Sequence, residues 1–89
     1  MENFRRLEGV TKGYANHRRI QIMHLLENNP ELSVDEIAEN LRVNFKTISA
    51  HTKRLAISGL VMKRSDGKSI RHKLTDRGSN ILMFLKKIR

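Results

Sequence analysis

From Ser33 to Leu60 the apolar positions recur at helical spacing, with one interruption. Ile37 and Leu41 fall on one side of a first segment, and Ile48, Thr52 and Leu55 share one face of a second, at about 100° per residue. Ser33 and Glu36 stand three apart, the spacing of a capping box in which the hydroxyl accepts from the Glu36 amide while the carboxylate reaches back. Asn44 can cap the second segment in the same manner. Leu41, Arg42 and Val43 are left as a connection of about three residues, which suits two helices crossing steeply rather than an antiparallel pair. Ile37, Leu41, Val43, Ile48 and Leu55 are the expected core side.

Upstream, residues 16–28 read as a helix with Ile22, Met23 and Leu26 inward, stopped by Asn28, Asn29 and Pro30. A short helix carrying Phe4 and Leu7 should precede it, with Gly9 and Gly13 bracketing a break. After Gly59, a C′ residue, the period becomes alternating. Residues 61–64, SDGK and residues 69–74 read as a hairpin with Asp66 and Gly67 at the turn, Ile70 and Leu74 inward, and Arg71 and Lys73 outward. A lone hairpin is marginal, so it must lean on the helices, and residues 31–33 can supply a third short pairing. Thr75 can cap a last helix from Asp76 to Arg89, in which Ile81, Leu82, Phe84, Leu85 and Ile88 span a broad apolar arc, with Ser79 and Lys86 on the other side. That arc is too wide for one neighbour. A second copy of the chain is the expected partner, through Phe4, Leu7, Ile81, Leu82, Phe84, Leu85 and Ile88.

Candidate chemistry lies on the opposite face of the 45–58 helix. Lys46, Ala50 and Lys53 point away from the core, flanked by Ser49 and Arg54, forming a short cationic and hydrogen-bonding surface of the kind that fits a major groove. Two capped helices about a tight turn, the second one cationic, form the layout of a helix-turn-helix DNA reader. The following ribbon, with Lys63, Arg64, Lys68 and Arg71, is a candidate wing that could grip phosphate or enter the minor groove. Lysines on an exposed strand also serve only to prevent edge aggregation.

The charge is polarised in the same sense. The chain is +9 overall; residues 1–41 hold 5 Lys/Arg against 7 Asp/Glu, a net of −2, and residues 42–89 hold 13 against 2, a net of +11. A polyanion meeting the second half would release counterions, so binding should depend strongly on salt. Charge alone does not separate duplex DNA from an anionic membrane surface.

The segment IQIMHLLENNPELSVDEIAENLRVNFKTISAHTKRLAISGLV, followed by DGK and KLTDRG, resembles the winged helix-turn-helix regulators of the ArsR type. LTDRG is also similar to the LTxxG that closes the wing of MarR-type regulators. The resemblance covers about residues 16–78. It implies a mainly α fold with a small antiparallel β-hairpin, and it puts Lys46, Thr47, Ser49, Ala50, His51 and Lys53 in the part of the recognition helix facing bases or phosphates, with Lys68 and Arg71 in the wing. The sequence departs from the pattern at Arg42, where the turn often has Gly, at Thr52, where the helix often has Leu, and at Ile57, where a charge is common. The thiolate ligands frequent in that family are absent, because the chain has no cysteine. Sensing of soft ions by thiolates is therefore excluded.

Other chemistry finds little support. His17 and His24 are about 10 Å apart along a helix, too far to chelate one ion unaided, and no metal site or cofactor is expected. Glu31, Asp35, Glu36 and Glu39 sit mostly in a first helical turn, where negative charge complements the dipole, and no catalytic motif accompanies them, so no enzymatic activity is expected. MENFRRLEG lacks a signal-peptide apolar region and no run approaches 18 apolar residues, so neither export nor membrane spanning is expected, and the place of action is the cytoplasm, on the nucleoid. The 89 residues read as one winged helix-turn-helix domain: an N-terminal helix and connection at 1–15, a helical core at 16–60, a wing at 61–74 and a dimerisation helix at 75–89. The expected function is sequence-specific binding of double-stranded DNA by a homodimeric transcriptional regulator. The alternative is a winged-helix protein-interaction module, with RNA binding a weaker third; an interaction module should expose a contiguous apolar patch, at which only Ile57 and Met62 hint.

Overall fold

The computed structural model describes residues 3–88, which form five helices and one hairpin: α1 (Phe4–Tyr14), α2 (His17–Asn28), α3 (Val34–Leu41), α4 (Phe45–Ile57), β1 (Val61–Asp66), β2 (Ser69–Leu74) and α5 (Asp76–Lys87). Each helix starts where a short polar side chain can accept from the free amides of the first turn. Asn3 accepts from Arg6, Asn16 from Arg18 and Arg19, Asn44 from Lys46 and Thr47, and Thr75 from Gly78. At α3 the capping box is complete: Ser33 Oγ accepts from the Glu36 amide at 3.2 Å and Glu36 Oε1 accepts from the Ser33 amide at 2.9 Å.

The core gathers one face from every element except α1 and β2: Ile22, Met23, Leu26, Ile37, Ile48, Leu55, Leu60, Val61 and Leu82 are each 2% exposed or less. Leu41 and Val43 pack against its margin. Thr52 occupies an inward position on α4 and satisfies its hydroxyl by donating to the Ser49 carbonyl at 3.0 Å, which lets a polar residue replace an aliphatic one there. Arg42 is the C-cap of α3 with φ 54°, in the left-handed region that favours glycine. That geometry turns the chain within three residues from α3 into α4.

Several expectations need correction. Helix α1 runs unbroken through Gly9 and Gly13; Gly13 is buried against α4's C-cap, where a Cβ would stand 2.0 Å from Ser58 Oγ. The hairpin turn is centred on Gly67 and Lys68, because Asp66 pairs with Ser69 and extends β1 to six residues, the length expected of β2. Gly67, at φ 60°, takes the first central position, as a type II′ turn requires. On β2 the buried inward residue is His72, 1% exposed, whereas Ile70 at the strand's open end is 47% exposed. The third pairing does form, as an antiparallel bridge between Leu32 and His72.

The last helix divides its apolar arc. Leu82 is 2% exposed and belongs to the protomer's own core, so it is unavailable to a second copy, and Ile81 and Leu85 are half-buried. Lys86 faces α2, where it pairs with Glu27, and does not mark the solvent side. Phe84 and Ile88 remain exposed, together with Met83, which the sequence pattern did not single out. Arg89 lies outside the described residues.

Candidate nucleic-acid interface

Helix α4 is fixed on its inner face by Ile48, Thr52 and Leu55, so the residues between them must face outward. Lys46, Thr47, Ala50, Lys53 and Arg54 are exposed and Ser49 is half-buried. Among the described residues, Lys46, Lys53 and Arg54 take part in no ion pair. The helix therefore presents a small-residue centre at Ser49 and Ala50 between a cation near its start and two near its end.

His51 points differently from its neighbours. It is half-buried and its Nδ1 accepts from Arg19 Nε at 3.2 Å, while Arg19 Nη1 donates to the carbonyls of Lys12 and Gly13 at 2.9 and 3.0 Å. Burial first, then Arg19, His17 and Arg18, hold the His51 pKa below the ordinary imidazole value. Arg19 is likewise lowered, by burial and by Arg54. His51 is thus a neutral acceptor that ties α4 to α2 and to the end of α1. The sequence pattern missed Arg19; its only local signal was a cation on a half-buried flank of α2.

The wing stands beside the other end of α4. Lys68, Ser69 and Ile70 at its tip, Phe45 at the start of α4, and Ser33, Val34 and Asp35 at the start of α3 line an open cleft of about 210 Å³. Lys68 is exposed and, among the described residues, forms no ion pair. Arg71 is half-buried and engaged: Nε donates to Asp66 Oδ2 at 3.1 Å, and Nη1 to the Glu31 carbonyl and Glu36 Oε1 at 3.1 and 3.3 Å. Arg64 is paired with Glu31 at 2.7 Å, and this partner raises its pKa. The four cations expected on the ribbon therefore divide into exposed lysines and arginines bound to carboxylates.

The end of the wing explains the LTDRG sequence. Thr75 Oγ1 donates to the Gly59 carbonyl at 2.6 Å and accepts from the Gly78 amide at 3.1 Å, while its own amide donates to the Leu60 carbonyl. Gly78 lies so close to the residue that leads into β1 that a Cβ would stand 2.1 Å from Leu60 O. Leu74, Thr75 and Gly78 thus lock the wing's exit onto its entrance.

The chain is similar to known proteins over this whole arrangement. It is 36% identical over 78 residues to a candidate arsenical resistance operon repressor, ArsR, of Halobacterium salinarum; the match covers 86% of this chain and 60% of that protein's length. Among solved structures, it is similar to the homodimeric winged helix-turn-helix DNA-binding domain of a possible ArsR-family transcriptional regulator from Mycobacterium bovis, with 28% identity and a TM-score of 0.84 over 93% of this chain and 77% of that one. HlyU from Vibrio cholerae matches with 28% identity and a TM-score of 0.83, over 98% and 95% of the two chains. These likenesses make the fold a winged helix-turn-helix. Residues 16–63, more than half of the chain, match the bacterial regulatory protein arsR family, and the chain belongs to that family.

Proposed function

We propose that this protein is a non-catalytic, cytoplasmic transcriptional regulator that binds double-stranded DNA as a homodimer, with α4 in the major groove and the wing tip beside it. The observation that carries the reading is the outward face of α4, where Lys46, Ala50 and Lys53 are exposed around half-buried Ser49. Lysine can donate to guanine or phosphate, serine can donate or accept, and alanine can touch a thymine methyl. Thr47, Arg54 and Lys68 extend the cationic and polar surface to both ends of the helix.

The test is duplex binding across a salt series. Lys46→Ala with Lys53→Ala should weaken binding and reduce the slope of log affinity against log salt by about 2 if both reach phosphate. A lysine that reads a base should also relax sequence preference, by about 1–3 kcal/mol. Unchanged affinity at moderate salt would remove α4 as the reader.

Dimerisation is supported by apolar surface on the two terminal helices: Phe4 is 70% exposed, Leu7 41%, Met83 54%, Phe84 52% and Ile88 63%. The Mycobacterium bovis domain, similar over most of the chain, is homodimeric. Half-buried Ile81 and Leu85 would border such a contact. Two-fold symmetry would set two copies of α4 on major grooves about one helical turn, or a multiple of it, apart, and so call for a roughly palindromic site. Phe84→Glu should shift the chain toward monomer in sedimentation equilibrium at micromolar concentration and weaken duplex binding. A wild-type monomer under those conditions would defeat the dimer.

A further inference from the structure

The wing is a two-stranded ribbon, and such a ribbon has no fixed direction unless something braces it. Its bracing is concentrated at the turn between α2 and α3. Glu31 sits there with φ 71°, a conformation that non-glycine residues adopt rarely, and its three polar parts all engage the wing or its arginines. The Glu31 amide donates to the His72 carbonyl at 2.8 Å, its carbonyl accepts from Arg71, and its carboxylate accepts from Arg64 Nε at 2.9 Å.

Arg71 completes the connection. One guanidinium reaches the wing turn at Asp66, the α2–α3 turn at Glu31 and the first turn of α3 at Glu36. Glu36 is already held by the Ser33 amide, so its carboxylate is a fixed acceptor. A planar guanidinium can hold three acceptors in different directions at once, which an ammonium on a flexible stem cannot do as rigidly.

We infer that Arg71 is a positioning residue: with Glu31, Glu36 and Asp66 it clamps the wing to the start of α3 and so sets where Lys68 stands relative to α4. This inference rests on the DNA-binding reading for its purpose, and it reverses the role that resemblance gives Arg71, contact with DNA. Its charge is spent on carboxylates within the protomer, while Lys68 at the tip has none within bonding distance among the described residues.

Three variants of the full chain test it: Arg71→Gln, Arg71→Lys, and Glu36→Gln with Asp66→Asn. Glutamine at position 36 can still accept from the Ser33 amide, so the capping box survives. Two readouts are needed: amide hydrogen exchange of the wing strands without DNA, and affinity for a random-sequence duplex pool across a salt series. The clamp requires wing amides to exchange about threefold faster or more in all three variants, the loss expected of exposed ion pairs. It also requires Arg71→Lys to bind duplex as weakly as Arg71→Gln, and the Glu36→Gln, Asp66→Asn protein to bind less tightly than wild type although it has lost two negative charges.

A phosphate ligand behaves in the opposite way. Lysine would then restore binding, Arg71→Gln would lower the salt slope by about 1 with wing exchange unchanged, and removing the two carboxylates would tighten binding. Any of these results overturns the inference, as does faster wing exchange with undiminished duplex affinity. If wild type binds no duplex, the DNA reading fails by itself, and the exchange measurement still decides whether the clamp exists.

Discussion

Gly9→Ala and Gly78→Ala make the same chemical change in two helices, and the structure gives them opposite signs. Alanine in place of a helical glycine ordinarily stabilises by about 0.5–1 kcal/mol, because glycine loses more backbone freedom on folding. At Gly9 nothing lies within 4 Å of the added methyl, so Gly9→Ala should realise that gain. At Gly78 the methyl would stand 2.1 Å from Leu60 O and 3.0 Å from Leu74 Cδ2. Carbon and carbonyl oxygen approach no closer than about 3.3 Å even in favourable contacts, so α5 must retreat by roughly 1 Å. The retreat pulls on the Thr75 amide bonded to the Leu60 carbonyl and on the Thr75 hydroxyl bonded to the Gly59 carbonyl. Overpacking costs about 1–3 kcal/mol and each weakened hydrogen bond about 1 kcal/mol, which exceeds the helical gain and leaves a net loss of about 2–4 kcal/mol. Urea unfolding of wild type and both variants at one protein concentration measures it, since a dimer's stability depends on concentration. A Gly78→Ala protein as stable as wild type would refute the packing argument, and a Gly9→Ala protein less stable than wild type would refute the propensity argument.

Other expectations follow from backbone geometry and burial. Arg42 holds a left-handed conformation that costs an L-residue about 1–2 kcal/mol. Arg42→Gly removes that cost against about 0.4–1 kcal/mol of added unfolded-state freedom, so a gain of up to about 1.5 kcal/mol is expected in urea unfolding, and a loss would show that the exposed guanidinium does unrecognised work. Stability should also depend on pH through His72. Burial lowers its pKa below the ordinary value, outweighing the Leu32 carbonyl that raises it, and Lys63 across the hairpin lowers it further. The unfolded chain then takes up a proton near pH 6.5 that the folded chain resists. Stability is therefore full above that pH and falls as pH drops through it, by up to about 1.4 kcal/mol per pH unit for one proton. His72→Asn, whose amide nitrogen stands where Nδ1 does and can still donate to Leu32, should flatten the profile between pH 7 and 5; an unchanged slope would assign the effect elsewhere, His51 being the next group with a lowered pKa.

The elements were legible where their causes are local. Ser33 with Glu36, Asn44 and Thr75 announce helix starts within three residues of themselves, and the inward set Ile37, Ile48 and Leu55 follows from a period of 3.6. What stayed hidden depends on partners far along the chain. Arg71 reads as an outward cation until Glu31 and Glu36, 40 and 35 residues away, are placed beside it. The apolar arc of α5 reads as one surface until α2 covers Leu82 and leaves Phe84 bare. Gly9 and Gly13 read as a break because glycine weakens helices. The Asn3 cap carries α1 through both, and at Gly13 contact with Ser58 requires the missing side chain.

Charge polarisation has the same two layers. In the sequence, the excess of cations after Leu41 reads as one basic half; in the fold, carboxylates of the first half return to neutralise part of it. Glu31 takes Arg64, Glu36 takes Arg71, and Glu27 takes Lys86. The cations so removed are the Arg64–Arg71 pair midway along the wing and Lys86 on α5, none of them on the outward face of α4. Among the described residues, Lys46, Lys53, Arg54 and Lys68 are exposed and pair with no carboxylate, so the acidic residues sharpen the basic surface by confining it. Salt then acts on this protein twice. It competes with phosphate for the lysines, and it screens the exposed pairs that aim the wing, so the two effects on duplex binding should reinforce each other.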